Sequence, residues 1–110
     1  MYCEFTTTRL GHVTQVNTGG AEVLCSLLRC HCGLTERSVL LDLCCGTGTI
    51  GLSMASAVRR VVGVELVQAA VDDARANAER NGVSNATFIA AKAEVARDQC
   101  VLYAPAACRP

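Results

Sequence analysis

Two groups of residues in this 110-residue chain have the types and spacing to do chemistry. The first is the stretch Leu41-Asp42-Leu43-Cys44-Cys45-Gly46-Thr47-Gly48-Thr49-Ile50-Gly51. Glycines at 46 and 48 let the main chain turn sharply, and they let a ligand approach the backbone with no Cβ in the way. The second is Glu65, 17 residues beyond Gly48. A carboxylate only accepts hydrogen bonds and can take two donors side by side, which is what the hydroxyls of a ribose offer. In nucleotide-binding α/β folds an acid at this distance from a glycine turn serves the sugar. Glycines alone would make a tight turn, and a lone glutamate would be a solvated strand end. Together they indicate an adenosine-containing ligand.

Charge narrows the choice of ligand. Gly46-x-Gly48-x-x-Gly51 matches the dinucleotide fingerprint, so NAD or FAD fits the pattern. Asp42, four residues before Gly46, points elsewhere. A carboxylate aimed into the turn repels a pyrophosphate; it suits a cationic group, or it braces the turn by accepting amide hydrogens. S-adenosyl-L-methionine carries a sulfonium and an ammonium and no phosphate, so Asp42 favours it. A P-loop for ATP is excluded, because no Gly-Lys-Ser/Thr follows the glycines.

Other chemistries find less footing. The eight cysteines are Cys3, Cys25, Cys30, Cys32, Cys44, Cys45, Cys100 and Cys108. The N-terminal MYCEFTTTRLGHVTQ has no apolar signal-peptide region, so they read as reduced thiols of an intracellular protein. Cys25-x4-Cys30-His31-Cys32 lacks the Cys-x-x-Cys spacing and a second ligand pair, so no metal is expected. Ten basic and ten acidic residues give zero net charge, which does not mark a basic nucleic-acid module. No apolar run approaches the roughly 18–20 residues of a membrane span. A composition of 51% hydrophobic and 18% charged residues fits one globular domain. Residues 1–16 are not an Arg/Ser-rich transit peptide, so the cytosol or nucleus is expected rather than the mitochondrion.

The elements that must position turn and acid follow from periodicity. Ala21, Leu24, Cys25, Leu28 and Cys32 recur at helical spacing and predict an amphipathic helix over 20–32, with Asn17 or Thr18 as N-cap and Gly33 as C-cap. The run 38–43 is too short for a buried helix and suits a buried parallel strand. Ile50, Met54, Ala55 and Val58 predict a second helix that ends at Arg59-Arg60, where cations suit the dipole. Residues 61–65 form the next strand. Val67, Ala70, Val71, Ala74 and Ala78 form the stripe of a third helix, closed by Asn81-Gly82. Asp72, Asp73, Arg75 and Arg80 lie on its polar side. Residues 86–90 form a third strand. This β-α-β-α-β order is half of a doubly wound sheet. The expected fold is therefore α/β, Rossmann-like and incomplete, with about three parallel strands and flanking helices. Residues 1–16 are irregular, 17–94 form the binding core and 95–110 a tail.

These residues also carry a resemblance. LLDLCCGTGTIGLS, followed by RVVGVELVQAAVDDARANAERNGVSNATF, resembles the cofactor core of the tRNA (uracil-5-)-methyltransferase family, class I S-adenosyl-L-methionine-dependent RNA methyltransferases, and its animal members most closely. TQVNTGGAEVL resembles the family's Gln-Val-Asn-Thr segment upstream of that core. The likeness covers roughly residues 13–94, with Val13 and Thr14 where relatives carry aromatics. It implies the class I methyltransferase fold and a site in which Gln15, Cys44, Thr49 and Glu65 meet the cofactor beside Asp42, Gly46 and Gly48. Lys92-Ala93-Glu94 falls where the family binds the adenine end.

The family's reaction forms 5-methyluridine in tRNA. A cysteine thiolate adds to C6 of a flipped-out uracil, C5 takes the methyl group, and a base removes the C5 proton. The family's Asp-Pro-Pro-Arg-like, Ser-Cys-Asn and glutamate-base segments have no counterpart here. Cys100 and Cys108 lack the nucleophile's context and Cys45 lies behind the cofactor, so no catalytic residue is assigned. The expectation is a truncated member that does not turn over alone. Its first strand, central in the parent fold, would keep an open apolar edge. The alternative is a non-catalytic cofactor- or NAD-binding fragment.

Overall fold

Two apolar runs and the glycines after the first of them decide the topology. In the computed structural model, which describes residues 18–96, α1 (Thr18–His31) leads to β1 (Val39–Leu43), α2 (Thr49–Met54), a 3-10 turn (Ala55–Ala57), β2 (Arg60–Glu65), α3 (Gln68–Arg80) and β3 (Ala86–Ala90). The strands form one parallel sheet in the order β1-β2-β3. Parallel neighbours need helical crossovers, and α2 and α3 supply them. Among the described residues no helix is long and apolar enough to cross a membrane.

The middle strand carries the sheet. Val61, Val62 and Val64 are all fully buried, each contributing roughly 1.5–3 kcal/mol. A row of partners, Asp42, Gly63 and Phe88, crosses the three strands. Phe88 packs there with Leu52 of α2 and with Val71, Ala74 and Ala78 of α3. A second cluster, Ala55, Val58 and Val61, is flanked by Leu34, Leu40, Val83 and Ala86.

Two helix ends follow the expected chemistry. Gly33 has φ +57° just beyond α1. Gly82 has φ +65° beyond α3; its N–H donates to Glu79 O and that of Val83 to Ala78 O, a Schellman closure. The third end differs. The helical segment does not run on to Arg59-Arg60: α2 stops at Met54, Val58 is already extended, and Arg60 opens β2. The physical reason is Asn85, whose Nδ2 donates to the carbonyls of Ala55 (2.8 Å), Val58 (3.1 Å) and Arg59 (3.4 Å). An amide from the loop before β3 answers the carbonyls that the arginines were expected to serve through the dipole.

The stripe of α1 is also less buried than its spacing implies. Of its members, Leu24 and Cys32 are exposed and Leu28 is half-buried; outside the stripe Val23 and Leu27 are exposed as well, and Cys30 and Cys32 are exposed free thiols. The helix is tied to the rest through Arg29, whose Nη2 donates to Ser56 Oγ at 3.0 Å. Segment 1–16, Cys3, Cys100, Cys108 and most of the 95–110 tail lie outside the described residues, as does the side chain of Cys25. Beyond β3 one helical turn is described over residues 93–96, with the N–H groups of Val95 and Ala96 on Lys92 O.

Candidate functional site

The site lies at the carboxyl ends of β1 and β2, where open α/β sheets take their ligands. After Leu43 the chain reverses through residues with left-handed backbone at Cys44 (φ +57°), Gly46 (φ +57°) and Gly48 (φ +83°). The left-handed form costs an L-residue about 1–2 kcal/mol, and Cys44 bears that cost. Its thiol is exposed. The turn closes with Gly48 N–H on Cys45 O (3.0 Å), and Cys45 N–H bonds Val64 O (3.0 Å), so the loop is stitched to β2.

The two glycines do different work. A Cβ at Gly46 would meet nothing within 4 Å, so this backbone is open to an incoming group. A Cβ at Gly48 would lie 2.9 Å from Phe88 Cζ and 3.2 Å from Ala74 Cβ. Gly48 is thus required by its positive φ and by the core beneath it, not by ligand clearance, which corrects the expectation that both glycines make room for a ligand. Gly63 completes the arrangement. A Cβ there would lie 2.6 Å from Phe88 Cε1 and 3.0 Å from Cys45 Sγ, so the Phe88 ring fills the gap that a glycine leaves in the middle strand.

Glu65 ends β2, half-buried. Its Oε2 accepts the Gly46 N–H at 3.0 Å and its Oε1 accepts the Val67 N–H at 3.1 Å. The expected partnership of turn and acid is therefore physical contact: the carboxylate ties the loop to the start of the α3 segment. Each carboxylate oxygen can accept a further donor. Ala91 N–H bonds Glu65 O at 3.1 Å, which brings Lys92-Ala93-Glu94 beside the same strand end.

Asp42 sits two rows below, opposite Gly63 and against Gly51 of α2. Its Oδ2 is buried and has no hydrogen-bond partner. Burial raises its pKa above the ordinary carboxylate value, and the Gly51 N–H pulls it back in part. Asp42 thus carries an acceptor that the fold leaves unanswered. The neighbouring Cys45 thiol, pushed up to about 12 by burial and then by the carboxylates of Asp42 and Glu65, is no nucleophile at neutral pH. Thr49 opens α2, with its Oγ1 3.4 Å from Thr47 Oγ1. Asp42, Cys44, Gly46, Gly48, Thr49 and Glu65 are thus brought together around one loop, whereas Gln15 lies outside the described residues. Among the described residues no three His, Cys, Asp or Glu side chains group as metal ligands.

Periodicity missed Asn77. It is fully buried on α3, and its Nδ2 donates to Thr47 O at 3.1 Å. The signal was present: an amide at helical spacing from Ala70 and Ala74 on the apolar stripe must find a partner.

Known proteins share this fold. The model of a methyltransferase domain matches residues 34–102. The tRNA (uracil-5-)-methyltransferase homolog A of Homo sapiens is 52% identical over 80 residues, which is 73% of this chain and 13% of the relative. Homolog B of Mus musculus is 51% identical over 80 residues, 73% of this chain and 16% of the relative. The chain thus spans under a fifth of the length of the curated relatives it matches. The crystal structure of Pyrococcus abyssi tRNA (uracil-54, C5)-methyltransferase in complex with S-adenosyl-L-homocysteine superposes with a TM-score of 0.61 and 32% identity, over 73% of this chain and 19% of that one. With its three parallel strands, its flanking helices and a glycine loop answered by an acid, the chain is similar over this core to tRNA (uracil-5-)-methyltransferases and belongs to the methyltransferase-domain family.

Proposed function

We propose that this chain is the S-adenosyl-L-methionine-binding part of an RNA uracil C5-methyltransferase acting on tRNA. The observation that carries the reading is the Glu65 carboxylate bonded into the glycine loop at Gly46. One strand end thereby offers spare acceptor positions for ribose hydroxyls next to open backbone. The unanswered buried oxygen of Asp42 favours a ligand with cationic groups over one with a pyrophosphate, since a buried carboxylate gains from a cation and loses from an anion.

When bound, the cofactor supplies an electrophilic methyl group on its sulfonium. In this reading Glu65 holds the ribose, the backbone at Gly46 lies against the nucleoside, and Asp42 favours the cationic end. Cys44 and Thr49 line the loop, and Gln15 contributes from the N-terminal segment. The RNA substrate and the uracil target rest on the names of the relatives and on the family resemblance. No cysteine of these 110 residues has the context of the family's nucleophile, so the chain by itself binds cofactor without transferring methyl groups.

Titration calorimetry with S-adenosyl-L-methionine, S-adenosyl-L-homocysteine and NAD tests this. The two adenosyl ligands are expected to bind. Glu65→Ala is expected to weaken them by roughly 1–3 kcal/mol, the scale of losing a charge-assisted partner. Binding of NAD alone would overturn the reading in favour of a dinucleotide module. Incubation with unmodified tRNA and labelled cofactor is expected to give no methylated product.

A further inference from the structure

Asn77 is the one buried polar residue among those described. Its neighbours on the stripe, Ala70, Val71, Ala74 and Ala78, are all buried and apolar. An amide in such surroundings costs free energy unless it is hydrogen-bonded, so its presence calls for a partner that an apolar side chain could not serve. That partner is the Thr47 carbonyl, 30 residues away in sequence. The same peptide unit carries the Gly48 N–H, which closes the turn on Cys45 O at 3.0 Å. One planar group is thus held at its oxygen by α3 and at its hydrogen by the loop itself.

The loop is gripped from two sides. Glu65 holds the Gly46 N–H from β2, and Asn77 holds the Thr47 carbonyl from α3. Glu65 belongs to the site; Asn77 lies beneath the loop, fully buried, and acts on it through the Thr47 carbonyl. We propose that Asn77 is a positioning residue: it fixes the 47–48 peptide and so sets the loop in the shape that takes the adenosyl ligand. This rests on the reading of the loop as a cofactor site.

The test uses the 110-residue chain and three variants. Asn77→Ala removes the donor. Asn77→Ser provides a hydroxyl too short to reach Thr47, which can instead bond back to the carbonyl four residues earlier. Ala78→Gly, at the buried neighbour on the same helix, loosens α3 without touching the loop and serves as the stability control. Two quantities are read: amide hydrogen exchange at Gly48 by NMR without ligand, and affinity for S-adenosyl-L-homocysteine at a temperature where every chain is folded.

Both Asn77 variants are expected to speed Gly48 exchange at least tenfold relative to the control and to weaken binding at least tenfold, while Ala78→Gly binds within twofold of the parent. Unchanged Gly48 exchange, or binding within twofold in the Asn77 variants, would overturn the proposal. So would failure of both variants to fold, because Asn77 would then serve the whole core rather than the loop. If the parent chain takes up no adenosyl ligand, the cofactor reading fails separately. Gly48 exchange in the ligand-free chain then decides whether Asn77 holds the loop.

Discussion

At the scale of single residues, the site sets three side chains to different tasks chiefly by burial. Cys44 and Cys45 are adjacent, yet one thiol is exposed and the other is half-buried between Gly63 and two carboxylates. With a pKa near 12, the Cys45 thiolate fraction at pH 8 is about one part in ten thousand. A maleimide at that pH is expected to label Cys30, Cys32 and Cys44 and to spare Cys45, as read by peptide mass mapping, and S-adenosyl-L-homocysteine is expected to slow labelling of Cys44. Equal rates at Cys44 and Cys45 in the folded chain would contradict the packing described. Asp42 makes a prediction of opposite cost. Its folded pKa is raised above 3.8, so the folded state holds the proton more tightly than the unfolded one. This contribution to stability is complete below the unfolded value and is lost as pH rises through the folded value. Asp42→Asn removes that dependence. Thermal melts from pH 7 down to pH 4 are expected to show the variant at its greatest relative advantage at pH 7, with the difference moving steadily toward the parent chain as pH falls. The same variant is expected to bind S-adenosyl-L-methionine more weakly, a trade of stability for function.

At the scale of elements, Phe88 joins strand, loop and helix. Its ring covers Gly63 of β2, meets Gly48 in the loop and packs on Ala74 of α3. Phe88→Ala is expected to cost about 3–5 kcal/mol, and Gly63→Ala about 1–3 kcal/mol through overpacking. Because both changes act on one contact, their effects do not add. Gly63→Ala combined with Phe88→Leu is expected to cost less than the sum of the single changes in urea denaturation, and strict additivity would rule out the close approach. The elements themselves were largely legible in the sequence. β3 has its expected bounds and α3 closes at Asn81-Gly82, because a period of two or 3.6 and a left-handed glycine are local signals. The end of α2 was not legible: the donor that answers its carbonyls is Asn85, some 30 residues downstream, and nothing local announces a partner so distant. For Asn77 the need of a partner was legible from its place on the stripe, but the partner was not, since its acceptor in the loop is equally remote. Turn and acid could be read because their spacing is a fixed feature of one crossover. The further bond from Gly46 to Glu65 depends on the register of β1 against β2, which spacing alone does not give.

At the scale of the whole molecule, the sheet is protected unevenly. β2 is buried from Val61 to Val64, whereas β1 pairs with β2 on one side only among the described residues. Leu41 and Leu43, which alternate with the inward-facing Asp42, are 42% and 48% exposed. An apolar edge with no proline, and with its one acid turned inward, is a template for pairing with another strand. Val23, Leu24 and Leu27 of α1 add apolar surface that has the character of an association site rather than of a scattered exposed leucine. The isolated chain is therefore expected to self-associate as its concentration rises, followed by sedimentation velocity. Leu41→Lys with Leu43→Thr places a charge on the edge and removes one of its apolar side chains, so the double variant is expected to stay monomeric further up the same series. Neither residue belongs to the loop or bears the Glu65 carboxylate, so affinity for S-adenosyl-L-homocysteine is expected to hold within twofold. A parent chain that stays monomeric throughout would mean that the β1 edge is covered in solution, and the double variant should then lose stability instead, because its new lysine would be forced into that covering.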